Sequence, residues 1–169
     1  MDTNEITKLK NRWYKLGIYN DLVDYFINGN SIDNLPFLNK ISGLYDLRGI
    51  NLSEISELNN IVFKNVDLSY ANLSQTKFTN VKFNNVKLFE TNLSNTDFQN
   101  CNIINCYFYK ANLEGSNIKS KGNYIRSTIL KSPYVFKKPQ VKITLKNKEL
   151  INRWFNDDGK NKIDKIKTY

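Results

Sequence analysis

A large apolar residue returns at every fifth position along this chain, a period that belongs to neither a helix nor a strand. The run comprises twelve residues: Phe63, Leu68, Leu73, Phe78, Phe83, Leu88, Leu93, Phe98, Ile103, Phe108, Leu113 and Ile118. A smaller residue stands two positions before each of them, from Ile61 to Ser116. Because a helix repeats about every 3.6 residues and a strand every two, neither keeps all twelve on one side. The period predicts a chain that turns a corner every five residues.

Four such units close a square coil. Strand-like alternation within a unit points two side chains inward and three outward, and each corner restores the phase for the next unit. Stacked coils pair their backbones about 4.8 Å apart. Burying one large residue on the axis contributes roughly 1.5–3 kcal/mol, of which chain entropy offsets much. The pattern therefore predicts an all-β solenoid with a continuous apolar core.

Three units lie twenty residues apart and share one local pattern. They read Ala71-Asn72-Leu73, Thr91-Asn92-Leu93 and Ala111-Asn112-Leu113. This pattern resembles the pentapeptide-repeat family, whose units read roughly Ala-Asp/Asn-Leu-X-X. The resemblance implies a right-handed quadrilateral β-helix of about four coils. We assign residues 45–136 to it.

The repeat slips in phase near both ends. Upstream, the pairs Tyr45/Leu47 and Ile50/Leu52 precede one extra residue, after which the phase resumes at Ser56/Leu58. Downstream, a second one-residue slip predicts that Tyr124, Ile129 and Tyr134 point inward, after the small residues Gly122, Ser127 and Ser132. We interpret each slip as a bulged corner or short loop. Pro133 and Pro139 suit the place where strand pairing stops.

Residues 1–44 carry the pattern of a helical cap. Ile6, Leu9, Trp13 and Leu16 form one helical stripe that ends at Gly17, and a second helix is predicted over about 21–28. A short third turn is predicted to start at Ser31 or Asp33. Because the end of a β-helix is an unpaired edge that must be covered, capping is favoured over ligand binding for these helices.

Residues 137–169 form a basic strand-helix module and tail, with 10 basic and 4 acidic side chains. A strand is predicted over 141–145 and a helix over about 147–156. Gyrase-protecting members of the family carry a dimer module at this place, so the resemblance implies a homodimer contact through Val141, Ile143, Leu145, Leu150, Trp154 and Phe155. The alternative is that the same residues cap their own coil. The charge alternatively indicates nucleic-acid binding through Lys137, Lys138, Lys142, Lys146, Lys148 and Arg153. The abundance of Asn, Lys and Ile fits a third explanation, a base-composition bias of the genome.

One face of the predicted coil is aromatic, whereas the faces centred on Leu73 and on Phe78 are polar. Its outward positions hold Tyr70, Phe89, Tyr107 and Tyr109, which we call the aromatic face, and Ile104 lies on the adjacent face. An apolar patch on a polar rod marks a surface that something covers. The cover is either the protein's own tail, through Trp154 and Phe155, or another protein. Base stacking by Phe89 and Tyr109 beside Lys87 and Lys110 is a third interpretation.

The composition excludes much of enzyme chemistry. The chain has no histidine, which removes the Ser-His-Asp and Cys-His mechanisms and the histidine-bearing zinc sites. Cys101 and Cys106 both fall at the inward small position, where burial accounts for them. There is no clustered-glycine phosphate loop, and the carboxylates are scattered. We therefore predict a protein that is not an enzyme and that uses no metal or cofactor.

The polar start of the chain is unlike a secretory signal, and no apolar run is long enough to span a membrane. These features predict a cytoplasmic protein with no membrane partner.

The sequence leaves three functions open. The first is a scaffold whose aromatic face binds a protein that the sequence does not name. The second is protection of a topoisomerase, known in relatives that imitate DNA. Such imitation needs a negatively charged rod, whereas residues 47–136 carry 10 basic and 6 acidic side chains. The third is nucleic-acid binding through the basic tail, which must weaken steeply with salt.

Overall fold

The corners of the coil are made by residues in the left-handed backbone conformation. The computed structural model describes residues 1–32, 35, 38–53, 55–118 and 122–128. Every fifth residue from Asn60 to Lys110 has a φ between 52° and 62°, and Gly115 continues the series at 69°. At several corners a turn hydrogen bond spans this residue, for example from the N–H of Ala71 to the carbonyl of Leu68 at 3.1 Å. The five-residue period is therefore the spacing between successive left-handed residues.

Strands fill the spaces between these corners. They are β1 (Lys40–Ile41), β2 (Leu44–Asp46), β3 (Glu57–Asn59), β4 (Val62–Asp67), β5 (Lys77–Thr79), β6 (Lys82–Lys87), β7 (Asp97–Gln99), β8 (Asn102–Tyr107) and β9 (Tyr124–Thr128). One sheet has the order β1-β2-β4-β6-β8-β9, parallel except for the β1–β2 pair, and the other is the parallel sheet β3-β5-β7. The all-β solenoid of about four turns is confirmed.

The register repeats every twenty residues through the middle coils. Phe63 pairs with Phe83, which pairs with Ile103, and Phe78 pairs with Phe98 on the second sheet. The rings stack along the axis, with centroids 5.3 Å apart for Phe63 and Phe83 and 5.0 Å apart for Phe78 and Phe98. All twelve large residues of the repeat are buried, as the period predicts.

Threonine at the inward small position keeps its hydroxyl satisfied inside the core. Thr76, Thr91 and Thr96 are buried, and their hydroxyls donate to the carbonyls of Leu52, Leu68 and Leu93 at 2.7–3.1 Å. A buried hydroxyl with a partner avoids the desolvation penalty of an unpaired one. This is why a polar residue is tolerated at that position.

The upstream phase slip lies where the sequence predicts it. Asn51 pairs with Asn72 at an offset of 21 residues, whereas Leu58 pairs with Phe78 at an offset of 20. The extra residue is therefore accommodated between Asn51 and Leu58.

The downstream phase prediction is wrong at Tyr124. Tyr124 pairs with Asn102 at an outward position and is 56% exposed, whereas Ile125 lies beside Ile103 and packs on the core. The offset between paired residues is 22 from Tyr124 to Arg126 and returns to the predicted 21 at Thr128. The side chain of Asn123 bonds to the previous coil beside this slip. Its Oδ1 accepts the N–H of Cys101 at 2.8 Å, and its Nδ2 donates to the carbonyl of Phe98 at 2.9 Å. Ile129, Tyr134, Pro133, Pro139 and the module at 137–169 lie outside the described residues.

Two helices cover the first coil. They are α1 (Thr3–Lys15), which begins with a capping box between Asp2 and Glu5, and α2 (Tyr19–Ile27). Trp13, Tyr19, Leu22 and Phe26 are buried in the same core as the coils, so these helices form a cap. The predicted stripe on α1 is wrong at Leu16, which follows the end of the helix and is 61% exposed, and Ile6 and Leu9 are half-buried. The prediction of a turn starting at Asp33 lies outside the described residues.

The cap rests on a glycine corner. Gly49 has a φ of +70°, and a Cβ added there would lie 3.1 Å from backbone atoms of Leu9 and Lys10. The missing side chain therefore lets α1 approach the coil closely.

Candidate functional site

The four residues of the aromatic face form one continuous group of rings. The Tyr70 and Phe89 centroids are 5.4 Å apart in an edge-to-face arrangement. Phe89 stacks on Tyr109 at 5.6 Å, and Tyr109 stacks on Tyr107 at 6.1 Å. Backbone hydrogen bonds fix the coils beneath, including one of 2.8 Å from the N–H of Tyr70 to the carbonyl of Phe89. The structure therefore stacks Phe89 on Tyr109, as their twenty-residue spacing predicts, and brings Tyr70 and Tyr107 from neighbouring columns against them.

The rings are less exposed than the sequence predicts. Phe89 is 7% exposed and Tyr107 is 2% exposed, whereas Tyr70 and Tyr109 are half-buried. The prediction that all four face solvent is thus wrong for Phe89 and Tyr107. Phe89 lies between the rings of Tyr70 and Tyr109, and Tyr107 lies against the ring of Tyr109. Ile104 is half-buried and lies across the corner at Asn105 from Tyr107, so it belongs to the neighbouring face as predicted.

A column of buried charges adjoins these rings. Asp46 pairs with Asp67, Asp67 with Lys87, and Lys87 with Tyr107 along the sheet. The Lys87 ammonium lies 3.8 Å from Oδ2 of Asp67, and both side chains are 7% exposed. Burial raises the pKa of the Asp67 carboxyl, and the neighbouring Lys87 charge opposes that effect. Because Lys87 is buried, it is not available for the phosphate contact that base stacking on this face requires.

Asp46 joins the cap to the solenoid. Its carboxylate accepts two hydrogen bonds from the Arg12 guanidinium, at 2.7 and 2.8 Å, and one from Nε of Arg48 at 2.9 Å. Burial alone would raise the pKa of Asp46, but the two guanidinium groups outweigh it and lower the pKa to about 2. A further hydrogen bond of 3.0 Å runs from Nε1 of Trp13 to the carbonyl of Arg48. Sequence analysis missed this cluster, whose only signal is an acidic residue two positions before an arginine.

Next to the aromatic face, three corners of successive coils hold side chains that are unusual for a left-handed backbone conformation. Seven of the eleven corners from 60 to 110 hold asparagine, which tolerates a positive φ well. The exceptions are Gln75 and three residues stacked on one corner, which are Tyr70, Glu90 and Lys110. Glu90 and Lys110 form an ion pair of 3.1 Å across the coils, and the Lys110 ammonium lies 5.7 Å from the centre of the Tyr109 ring. We call these three residues the strained corner.

Outward acidic groups elsewhere face lysines of the next coil. Glu57 lies 3.4 Å from Lys77, and the Asp67–Lys87 and Glu90–Lys110 pairs repeat the arrangement. Another face carries a ladder of amides, in which Asn92 donates to Asn72 at 3.1 Å and Asn112 donates to Asn92 at 3.3 Å.

Both cysteines lie inside the core, as their positions in the repeat predict. Cys101 and Cys106 are buried and free, and the Cys101 thiol contacts the Phe78 carbonyl at 3.2 Å. Burial raises the pKa of the Cys101 thiol, which disfavours the reactive thiolate. Among the described residues, no group of acidic or cysteine side chains could hold a metal ion. Neither helix of that part is long and apolar enough to cross a membrane.

The remaining candidates lie outside the described residues. They are the dimer or cap residues Val141, Ile143, Leu145, Leu150, Trp154 and Phe155, and the nucleic-acid residues Lys137, Lys138, Lys142, Lys146, Lys148 and Arg153. Both sets stay predictions.

Comparisons with known proteins agree on the repeat. A family model described as pentapeptide repeats matches residues 46–85 and 82–119, with eight copies of the model. The chain is similar to the crystal structure of Rfr23, a pentapeptide repeat protein from the cyanobacterium Cyanothece 51142. That match has 20% identity, a TM-score of 0.35, and covers 47% of this chain and 56% of that one.

A second similar structure is QnrB1, a plasmid-mediated fluoroquinolone resistance protein that had been treated with trypsin. The identity is 19%, the TM-score is 0.23, and the match covers 43% of each chain. The matches thus span only about half the length of these two structures. No curated protein matches the sequence significantly.

Proposed function

The segment 46–119 belongs to the pentapeptide-repeat family, and from that premise we propose that this protein is a non-enzymatic scaffold that binds another protein. The contact surface is the aromatic face together with the strained corner beside it. The solenoid holds both on a rigid frame of parallel strands, so the surface needs no rearrangement to bind. Preorganisation of this kind lowers the entropy lost on association.

The strained corner is the observation that carries the proposal. A left-handed conformation disfavours most L-residues by roughly 1–2 kcal/mol, and asparagine or glycine relieves much of this. Tyr70, Glu90 and Lys110 nevertheless occupy three successive corners of one column. The side chains of Lys110 and Glu90 are 52% and 32% exposed, and ion pairs with such exposure contribute less than about 1 kcal/mol. The ion pair therefore offsets little of the backbone strain at these corners. We infer that the three side chains are kept for binding and not for stability.

The chemistry of the surface suits a protein partner. Tyr70 and Tyr109 are half-buried, so each presents part of an aromatic ring with a hydroxyl, and tyrosines are frequent anchors of protein interfaces. Glu90 and Lys110 place one charge of each sign at the rim. A partner is therefore expected to bring an apolar centre and a polar border.

The test separates binding from stability. Glu90→Asn with Lys110→Asn should relieve the corner, keep or raise the unfolding midpoint, and weaken the partner complex. The partner is first captured from native lysate with the wild-type protein, and its Kd is then measured with each purified variant. Gln75→Asn is the matched control, because it relieves a corner away from the surface. An unchanged Kd for the double variant would contradict the assignment of this surface.

Topoisomerase protection by DNA imitation finds no support in the charges of the described coils. An acidic rod is required, whereas three of the outward acidic groups lie beside lysines of the next coil. A supercoiling assay with a quinolone present tests this function directly. Nucleic-acid binding through 137–169 stays a prediction, tested by the salt dependence of DNA binding.

A further inference from the structure

One face of the solenoid carries no carboxylate among the residues that the structure describes. It is formed by the first halves of β4, β6 and β8 together with β9, which are neighbours in one sheet. The outward side chains described on it are Val62, Lys64, Lys82, Asn84, Asn102, Ile104 and Tyr124. Each of the other three faces carries acidic side chains, which are Asp67 on one, Glu114 on the second, and Glu57 and Asp97 on the third. The two lysines therefore give this face a positive charge that no described residue on it offsets.

These two lysines are accessible. Lys64 and Lys82 are exposed, and neither forms an ion pair with any residue in the described part of the chain. The lysines of the other faces differ, because three of them pair with a carboxylate of the preceding coil. Lys64 pairs with Asn84 along the sheet, so Lys82 lies one strand and two residues away from Lys64. At about 4.8 Å between strands and about 3.3 Å per residue, the two Cα atoms are about 8 Å apart.

The other side chains of this face favour a nucleic acid over an acidic protein. Asn84 is exposed and Asn102 is half-buried, and each lies beside a lysine in the neighbouring strand. Lysine, asparagine and tyrosine are among the side chains that bind the phosphates of nucleic acids. Tyr124 is 56% exposed and continues the column of Lys82 and Asn102. An exposed ring beside cations is suited to stacking on an unpaired base, as in proteins that bind single strands.

We propose that Lys64, Lys82, Asn84, Asn102 and Tyr124, which we call the basic face, bind single-stranded nucleic acid without reading its sequence. The lysines contact phosphates, the asparagines donate hydrogen bonds to phosphate oxygens, and the Tyr124 ring stacks on one base. A duplex fits this surface less well, because its bases are stacked on one another and none is left for Tyr124. The basic face is separate from the aromatic face, so this inference does not depend on the scaffold function.

Fluorescence anisotropy of a labelled oligothymidylate, titrated with the full-length protein at several salt concentrations, tests the lysines. Loss of two phosphate contacts to a single strand makes the slope of log K against log salt shallower by about 1.4, which is the result expected for Lys64→Gln with Lys82→Gln. Lys8→Gln with Lys10→Gln is the matched control, because it removes the same charge from two exposed positions of α1 and should keep the slope. Equal changes in the two double variants would indicate an effect of net charge and overturn the site. So would binding that neither variant changes, or no binding by the wild type.

A second variant tests the stacking contact. Tyr124→Leu should weaken binding by at least about fivefold and leave the salt slope unchanged. Tyr14→Leu is its control, since Tyr14 is 55% exposed on the cap and should not affect the Kd. Competition with a DNA duplex and with polyglutamate identifies the ligand class. If either competes as well as unlabelled oligothymidylate does, the assignment to single-stranded nucleic acid is wrong. Circular dichroism and the thermal unfolding midpoint confirm that each variant is folded.

Discussion

Replacing Asp46 with asparagine tests how the helical cap is held on the solenoid. The carboxylate accepts hydrogen bonds from Arg12 and Arg48, and its pKa is lowered from 3.8 to about 2, which corresponds to about 2.5 kcal/mol at about 1.4 kcal/mol per unit. A lowered folded-state pKa contributes stability that is fully present above the unfolded pKa of about 4. The contribution is lost as the pH falls from about 4 to about 2. Asp46→Asn should therefore lower the free energy of unfolding by about 2.5 kcal/mol at pH 7 and by little at pH 2.

Urea unfolding measures this difference, followed by far-ultraviolet circular dichroism and by Trp13 fluorescence in a Trp154→Phe background, since the chain has two tryptophans. The fluorescence reports on the cap, because Trp13 is buried between α1 and the first coil and donates to Arg48. Glu57→Gln is the matched control, since it removes a carboxylate from an exposed ion pair and should change stability far less. Equal unfolding free energies for Asp46→Asn and wild type at pH 7 would refute the reasoning. So would a loss that stays the same from pH 7 to pH 2.

Two further predictions concern the corners and the core. Gln75→Asn should stabilise the fold by about 0.5–1 kcal/mol, because asparagine tolerates the left-handed corner at φ 61°. The control is Gln99→Asn, which lies away from the corners and should change stability by less than about 0.5 kcal/mol. Thermal unfolding of both variants and of the wild type measures the difference. The Cys101 thiol should resist a thiol reagent in the native protein at pH 8 and react after unfolding, because burial raises its pKa. With a thiol reagent that releases a coloured leaving group, rapid stoichiometric colour release from the native protein would contradict the burial of Cys101.

The core of this fold could be predicted from the sequence because its signal is periodic and its alternatives are few. Each large residue from Phe63 to Ile118 recurs at the spacing of the corners, so a single period places all of them inside. The upstream slip is likewise visible, since one extra residue shifts every later position. The period predicts a corner every five residues, but it does not predict which residue makes each corner or that this residue is left-handed. The overall abundance of asparagine fits a base-composition bias, whereas at seven of these corners its tolerance of a positive φ is the local cause.

The candidate site could be predicted only in part, because exposure depends on neighbours that a repeat pattern does not specify. The twenty-residue spacing correctly predicts the stacking of Phe89 on Tyr109, and the shared face correctly places Tyr70 beside them. It did not predict the burial of Tyr107, which depends on contacts across the sheet. The phase at Tyr124 failed for a different reason. There the side chain of Asn123 bonds to the N–H of Cys101 and the carbonyl of Phe98, which are backbone groups of the previous coil. The spacing of the repeat does not predict such a side-chain contact.

The offset of twenty residues between paired strands of the middle coils, from β3 to β8, restricts how genes for such chains can change in length. Loss of one five-residue unit would keep every large residue inside, yet it would rotate all later columns by a quarter turn. Tyr109 would then no longer stack on Phe89, because it would lie on a different face of the coil. The fold would survive, but the residues of the aromatic face would be distributed over two faces. Insertions or deletions of whole coils, by contrast, lengthen or shorten the rod by about 4.8 Å each and keep every column aligned. We therefore expect functional length variants of this protein to differ by multiples of twenty residues.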